Sequence, residues 1–300
     1  LITGANNLPG DVRNESELSF NQTTPGTYAD EISGSGNVTL TGSDVLTLTG
    51  TNTYTGNTTL ESGTLQIGDD AALGAAPLSP TAGKFIFDGG TLATSDSFTL
   101  NANRGVELAV GGGTLSPNTA DTLTYNGVLA GAGDLKVDGD GSVVLGGSSA
   151  NTFSGDFTLT NGTVQLKKTP GIDALSGAIN LDGGSLELGA SNQLGNSSTL
   201  NFNGGVFDLR GFSEGDETSA GIGQINLLAD STLRFSGLSS FRFATETFTA
   251  GELDVEGWVG DPNNGSNPAS SNRFLVNTNL TGDPILDQII FADWNGATAK

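Results

Sequence analysis

The stretch NTYTGNTTLESGTLQIG, Asn52 to Gly68, recurs further along the chain as NTFSGDFTLTNGTVQLK, Asn151 to Lys167. The two stretches align without a gap, and each contains glycines followed by an alternation of apolar and polar residues. Such an alternation is typical of a β-strand with one buried face. Because one short strand cannot bury its own apolar face, its recurrence indicates coils that stack and share a core.

A third copy, SGAINLDGGSLELG at Ser176 to Gly189, aligns with most of the first stretch. The positions shared by the copies are turn glycines, an aromatic residue and inward apolar residues: Tyr54, Gly56, Gly63, Leu65, Ile67, Phe153, Gly155, Gly162, Val164, Leu166, Gly177, Gly184, Leu186 and Leu188. The glycine-plus-strand unit recurs at intervals of about 24 residues, which suits one coil of a parallel β-solenoid. The sequence therefore predicts an all-β chain that forms a parallel β-helix of about ten rungs.

Two kinds of residue at the start of the repeat have a predicted structural role. We expect Tyr54 and Phe153 to fill equivalent corners of the core, with stacking on a ligand as the weaker alternative. We expect Asn52 and Asn151 at turns, where asparagine tolerates left-handed backbone and forms local hydrogen bonds.

The composition excludes several classes of function. The chain has no cysteine, histidine or methionine, so cysteine nucleophiles, histidine bases and most zinc or copper sites are absent. A formal net charge of -22 repels phosphate, so nucleic acid is not an expected partner. No run of about 18 apolar residues occurs, so no transmembrane segment is expected.

Carboxylates are the remaining candidates for chemistry. Those considered for catalysis are Asp69, Asp70, Asp134, Asp138, Asp140, Glu187 and Asp208, and their scatter favours a solvated acidic surface over an active site. Asp134, Asp138 and Asp140 in DLKVDGDGS are weak candidates for a calcium site, because carboxylate oxygens suit that ion. A plain Asp-Gly turn is the favoured interpretation, and we expect neither a catalytic site nor a cofactor.

A family resemblance adds to this interpretation. The string LTLTGTNTYTGNTTLESGTLQIG, Leu46 to Gly68, resembles the autotransporter-associated β-strand repeat, also called the passenger-associated transport repeat, of bacterial surface and secreted proteins. A looser copy extends from Gly131 to Leu166. The resemblance implies a right-handed coil and an extracellular or cell-surface location, and it specifies no biochemical activity.

The C-terminal stretch is similar to the ends of repeat proteins that carry a PEP-CTERM-type sorting anchor. In that pattern a D-x-I-x-F strand, here Asp287, Ile289 and Phe291, follows a strand pair rich in tryptophan and glycine. We therefore divide the chain into an N-terminal cap or strand-exchange segment (1–30), the β-helix repeats (31–250) and a C-terminal β cap or assembly segment (251–300).

These observations predict a non-catalytic structural protein, a passenger-like stalk or adhesin module on a bacterial surface. Its expected partners are surface glycans or proteins, or further copies of itself. Two alternatives remain open at this point. One is a filament subunit that joins copies through terminal β-strands, and the other is a polysaccharide-acting β-helix enzyme.

Overall fold

A computed structural model shows the chain as a parallel β-solenoid of about 11 turns. The structure describes residues 2–3, 8, 10–216, 218–259, 272–276, 284–291 and 297–298. The predicted all-β class and parallel β-helix are thereby confirmed, and the expected ten rungs come close to the observed number. The right-handedness of the coil stays a prediction from the family resemblance.

The chain divides into two compact units. Unit 1 comprises Leu1–Gly147 and Asn151–Gly155, and unit 2 comprises Ser148–Ala150 and Asp156–Lys300. The strands of unit 1 are β1 (Ile2–Thr3), β2 (Val12–Arg13), β3 (Glu17–Gln22), β4 (Gly26–Tyr28), β5 (Ile32–Ser33), β6 (Asn37–Gly42), β7 (Val45–Leu48), β8 (Thr58–Leu60), β9 (Thr64–Ile67), β10 (Thr81–Phe87), β11 (Thr91–Thr94), β12 (Phe98–Leu100), β13 (Arg104–Leu108), β14 (Gly113–Ser116), β15 (Thr122–Tyr125), β16 (Leu129–Gly131) and β17 (Leu135–Gly147).

The strands of unit 2 are β18 (Phe157–Lys168), β19 (Ala178–Leu181), β20 (Ser185–Leu188), β21 (Thr199–Asn203), β22 (Val206–Asp208), β23 (Ile222–Ala229), β24 (Ser231–Arg234), β25 (Ser240–Phe248), β26 (Leu253–Glu256), β27 (Arg273–Val276), β28 (Ile289–Phe291) and β29 (Ala297–Thr298). Short 3₁₀ turns occupy Asp70–Leu73 and Pro284–Gln288.

In unit 1 the strands of successive rungs stack into parallel sheets. One sheet has the order β1-β3-β6-β8-β10-β13-β16. A second follows β4-β7-β9-β11-β14-β17, and β12 and β15 stack beneath the second half of β17. The long strand β17 thus turns a corner, because its first residues pair with β14 and its later ones with β15.

In unit 2 two parallel sheets run side by side. The first has the order β18-β19-β21-β23-β25-β27, and the second has β18-β20-β22-β24-β26-β28. Among the described residues, one strand pair is antiparallel, β28 with β29. Parallel stacking therefore continues into residues 251–300, the predicted cap, much of which lies outside the described residues.

Ladders of like residues explain why the rungs stay in register. In unit 1, Leu46, Leu65, Leu92 and Leu115 are successive partners, and all four side chains are buried. In unit 2, the equivalent inward column passes through Val164, Leu186, Phe207, Leu233 and Val255. A register slip of one residue would turn each of these side chains outward, so burial of the columns specifies the pairing. Burying each one stabilises the fold by about 1.5–3 kcal/mol.

The repeat glycines meet two different demands. Gly63 has a φ of 72°, which favours glycine because it lacks a Cβ. Gly56 is required by close packing instead, since a Cβ there would lie 2.2 Å from the carbonyl oxygen of Gly36 in the preceding rung. The equivalent Gly155 would place a Cβ 2.3 Å from the carbonyl oxygen of Gly133.

Candidate functional surface

The aromatic position that recurs in the repeat lies inside the solenoid. Tyr54 is 0% exposed and Phe153 is 2% exposed, so neither ring offers a face to an external ligand. The Tyr54 hydroxyl lies 2.5 Å from Thr58 Oγ1, and burial raises the pKa of Tyr54 to about 12. The other apolar repeat positions are buried as well: Leu65, Ile67, Val164, Leu166, Leu186 and Leu188. The remaining repeat glycines, Gly162, Gly177 and Gly184, have φ values of 71°, 77° and 62°.

Asn52 and Asn151 form inward corners, and their role differs from the expected turn. Neither has left-handed backbone, and their hydrogen bonds join neighbouring rungs. Asn52 Oδ1 accepts from the Ile32 amide at 2.7 Å, and its Nδ2 donates to the Ala72 carbonyl at 2.6 Å. Asn151 Oδ1 accepts from the Leu129 amide at 3.0 Å. Each asparagine therefore satisfies a backbone N–H that the ladders leave buried.

Unit 2 places other side chains in the same kind of corner. Gln193 Oε1 accepts from the Lys168 amide at 2.7 Å. One rung further, Glu214 Oε2 accepts from the amides of Gln193 at 2.8 Å and Leu194 at 3.2 Å. Gln193 and Glu214 are fully buried. The repeat motif gave no signal for these two residues, because neither lies in a matching copy.

Glu214 is a buried acid with an incomplete set of partners. Its Oε1 atom has no hydrogen-bond partner in the described part of the chain. Burial raises the pKa of Glu214 to about 8, and the two backbone hydrogen bonds oppose that rise without cancelling it. The nearby Asp173 carboxyl adds to the rise, and burial raises the pKa of Asp173 as well. Burial of Glu214 therefore favours its protonated form at neutral pH.

The calcium candidates lie on an exposed strand surface of unit 1. Asp138 accepts from Lys136 Nζ at 2.7 Å, and Asp140 Oδ2 accepts from Thr119 Oγ1 at 3.3 Å. Asp134 precedes β17 and is also exposed. Within the described ranges, no group of three or more acidic side chains lies close enough to hold a metal ion. The expectation that these residues form no calcium site stays a prediction.

Asp69 and Asp70 hold a turn instead of forming an exposed acid pair. Asp69 Oδ1 accepts from the Ala71 amide at 2.8 Å and begins the 3₁₀ turn. Asp70 accepts from Arg104 through both carboxylate oxygens, at 2.8 and 3.1 Å. Arg104 is 2% exposed and also donates to the Leu73 carbonyl at 2.8 Å. This ion pair connects the 3₁₀ turn to the rung that contains β13.

Glu187 and Asp208 are brought side by side by the fold, because they are register partners on consecutive rungs. Both belong to a column of charges: Glu187 pairs with Arg210, Asp208 lies 4.0 Å from Arg234, and Arg234 pairs with Glu256 at 2.7 Å. Asp208 also accepts from Ser236 Oγ at 2.9 Å. Each of the three carboxylates thus has an arginine within 4.0 Å, and the pairs form a partly exposed ion-pair ladder along consecutive rungs.

The first sheet of unit 2 carries an outward surface on which most side chains are neutral and polar, and we call this surface the amide face. It comprises Thr158, Thr160, Ala178, Asn180, Asp182, Thr199, Asn201, Asn203, Gln224, Asn226, Thr245, Thr247 and Thr249. Its central column stacks Thr158, Asn180, Asn201, Asn226 and Thr247 as successive register partners. Asn201 Nδ2 donates to Asn180 Oδ1 at 2.7 Å, and Asn226 Nδ2 donates to Asn201 Oδ1 at 2.7 Å.

Two open recesses also interrupt the surface. One in unit 1, of about 250 Å³, is bordered by Thr49, Asp69 and Asp96. One in unit 2, of about 270 Å³, is bordered by Asn196, Ile222 and Arg242. The recess in unit 1 contains two carboxylates, Asp69 and Asp96, and the hydroxyl of Ser95, whereas the described lining of the recess in unit 2 contains no carboxylate.

Two stretches of this stacked parallel solenoid match a known repeat family. The chain contains two passenger-associated transport repeats, at residues 38–67 and 135–166, as the resemblance predicted. Each match covers stacked strands: the first includes β8 and β9, and the second runs from the start of β17 into β18. No helix in the described part of the chain has both the length and the hydrophobicity needed to span a bilayer.

Two relatives are autotransporters. The chain is 38% identical to the adhesin BmaC autotransporter of Brucella suis biovar 1 (strain 1330) over 143 residues, 48% of this chain and 4% of that protein. It is 26% identical to the probable autotransporter YfaL of Escherichia coli (strain K12) over 234 residues, 71% of this chain and 17% of that protein. The chain thus spans a small fraction of either relative. No solved structure matches it significantly. The repeats and these relatives indicate a cell-surface or extracellular location in a bacterium.

Proposed function

We propose that this chain is a non-catalytic adhesive and supporting module of a bacterial surface protein. The observation that carries the proposal is the coincidence of the passenger-associated transport repeats with stacked solenoid rungs, in a chain similar to an autotransporter adhesin. The rungs supply a stiff support because every strand is hydrogen-bonded to its neighbours. The outward polar side chains supply the surface for contact.

A structural role is preferred to the two alternatives for physical reasons. An enzyme that cleaves polysaccharides needs unpaired carboxylates at a defined separation in one cleft. The adjacent pair, Glu187 and Asp208, is held in an arginine ladder, and both carboxylates have cationic neighbours. A filament subunit needs terminal strands that join copies, and neither the repeats nor the relatives point to such a contact.

The proposal is tested by displaying the chain on a non-adherent bacterium, through a fused export domain, and counting bacteria retained on cultured epithelial cells. We expect retention well above that of the exporter alone. The double variant Glu187→Gln/Asp208→Asn should retain adhesion, because an adhesive surface does not need that carboxylate pair. Retention equal to that of the exporter alone would contradict the proposal, as would release of reducing sugar ends from polysaccharide by the wild type but not by the double variant.

A further inference from the structure

The amide face is built from carboxamides that hold one another in place. Thr158, Asn180, Asn201 and Asn226 occupy four consecutive rungs of unit 2, and Asn180 Nδ2 donates to Thr158 Oγ1 at 3.4 Å. Gln224 Nε2 braces the column from one side, by donating to Asn226 Oδ1 at 2.7 Å. A chain of such bonds fixes the orientation of each amide before a ligand arrives, which lowers the entropy lost on binding.

The ladder leaves part of each amide available to a ligand. A carboxamide has two N–H donors and an oxygen with two lone pairs, and the column uses one donor and one acceptor site of Asn201. The remaining N–H and lone pair repeat at the spacing of stacked strands, about 4.8 Å. That spacing is close to the advance of one pyranose ring in an extended glycan chain, whose hydroxyl groups both donate and accept.

The charge of the face selects among ligands. The chain carries a formal net charge of -22, whereas the central column of the amide face is neutral. Asp182 is the carboxylate of the face, and Arg242, on the outward side of β25, donates to the Asp216 and Ser219 carbonyls. An anionic glycan or a phosphate would find no cation along the column of Asn180, Asn201 and Asn226 and would be repelled by the protein as a whole. The face also lacks the large aromatic anchors that dominate protein–protein interfaces. A neutral, hydroxyl-rich ligand is the one that matches it.

We propose that the amide face binds a neutral glycan chain that lies across the stacked strands of unit 2, one sugar per rung. This inference rests on the adhesive function proposed above and assigns that function a site and a ligand class. Each rung contributes a weak, solvent-exposed pair of hydrogen bonds, so affinity comes from repetition along the polymer. Longer oligosaccharides therefore bind more tightly than disaccharides of the same sugar.

The test uses the purified chain and neutral hexasaccharides of glucose, mannose and N-acetylglucosamine, with binding followed by calorimetry and by amide NMR shifts. At least one hexasaccharide should bind about tenfold or more tightly than its disaccharide. The triple variant Asn180→Ala/Asn201→Ala/Asn226→Ala should lose this binding. The matched control Thr64→Ala/Thr91→Ala/Thr114→Ala, which truncates a threonine column in unit 1, should keep it. Melting curves establish that both variants fold.

Several results would overturn the assignment: no binding of any neutral hexasaccharide, equal binding of hexagalacturonate, or a triple variant that binds as the wild type does. Self-association of the wild type that the triple variant abolishes would also overturn it, because the face would then be occupied by a second copy. The cell-adhesion assay separates the two proposals. If the triple variant still adheres, the site is wrong and the adhesive function stands; if the wild type does not adhere, the function itself fails.

Discussion

The inward corners of both units provide hydrogen-bond acceptors for buried backbone N–H groups, but they use different side chains to do so. In unit 1, the neutral amides of Asn52 and Asn151 accept a buried N–H from the preceding rung. In unit 2, Gln193 and Glu214 accept the equivalent N–H groups, and Glu214 accepts two. The comparison teaches that the corner requires a buried acceptor and tolerates several side chains. It also predicts that a carboxyl in that position makes the stability of unit 2 depend on pH.

The largest effect is expected from removing the acceptor that serves two N–H groups. Glu214→Leu leaves the amides of Gln193 and Leu194 buried without a partner, and each such group costs about 1–3 kcal/mol. Glu214→Gln keeps an acceptor oxygen and is the matched control. We expect the leucine variant to be less stable than the glutamine variant by about 3–5 kcal/mol in urea unfolding at pH 5.5. Equal stability of the two variants would show that the corner does not need an acceptor.

The next prediction concerns the pH dependence of stability, which differs between a carboxyl and a carboxamide at position 214. Burial raises the pKa of Glu214 to about 8 in the folded chain, from an ordinary value of 4.5 for an unburied glutamate. Between these values the folded state keeps a proton that the unfolded state releases, so this group lowers the free energy of unfolding as pH rises. Glu214→Gln should remove that loss. Its stability gain over wild type should grow by up to about 1.4 kcal/mol per pH unit and level off above pH 8.

Calorimetric unfolding from pH 5.5 to pH 9 measures this gain. The exposed substitution Glu107→Gln provides the control, because it removes a carboxylate without touching the corner. A gain for Glu214→Gln that does not change with pH would mean that Glu214 is already ionised in the folded chain at pH 5.5.

A smaller loss is expected in unit 1. Asn52→Leu removes the acceptor for the Ile32 amide and the donor for the Ala72 carbonyl, while keeping a side chain of similar size. We expect destabilisation of about 2–3 kcal/mol at all pH values between 5.5 and 9. Asn21→Leu, on the exposed face of β3, should change stability by less than about 0.5 kcal/mol. A strong pH dependence in Asn52→Leu would break the distinction drawn between the two units.

The smallest expected effect comes from the converse substitution, which replaces a corner asparagine of unit 1 by a carboxylic acid. Asn151→Asp gives unit 1 a titratable corner while preserving an acceptor for the Leu129 amide. We expect the variant to lose about 1–2 kcal/mol relative to wild type as pH rises from 5.5 to 8, because a buried carboxylate resists ionisation. Proton titration by NMR would detect a raised pKa at Asp in place of Asn151. An unshifted pKa there would show that the corner is more hydrated than its 7% exposure indicates.

The sequence predicted the solenoid because period-two alternation and recurring glycines are local signals. Leu65 and Ile67 could be assigned to an inward face from their neighbours alone. The corner bonds could not be found this way, since Asn52 and Ile32 are joined only when two rungs stack. The expectation of a left-handed turn at Asn52 followed from the residue type and missed this long-range contact.

The surface was harder to predict than the core. Asn180, Asn201 and Asn226 form a column because they are register partners on consecutive rungs. These rungs differ in length, so no single stretch of sequence reveals the alignment. The same holds for Glu187 and Asp208, which are scattered in sequence and adjacent in the fold. In the structure these two carboxylates have arginine partners, so they belong to an ion-pair ladder and are not an isolated acid pair.

The central claim is that the repeat encodes parallel rungs in a defined register, and paired cysteines test it directly because the chain has none of its own. Ser19→Cys/Thr39→Cys in unit 1 and Thr199→Cys/Gln224→Cys in unit 2 join register partners. The Cα atoms of register partners on adjacent strands lie about 4.8 Å apart, within the span of a disulfide, whereas Ser19→Cys/Thr41→Cys and Thr199→Cys/Asn226→Cys place the Cα atoms roughly 8 Å apart, beyond that span. We predict that mild oxidation closes both register pairs and neither shifted pair, as read by peptide mass mapping. Preferential closure of the shifted pairs would contradict the stacking on which the corner, the amide face and the proposed function all depend.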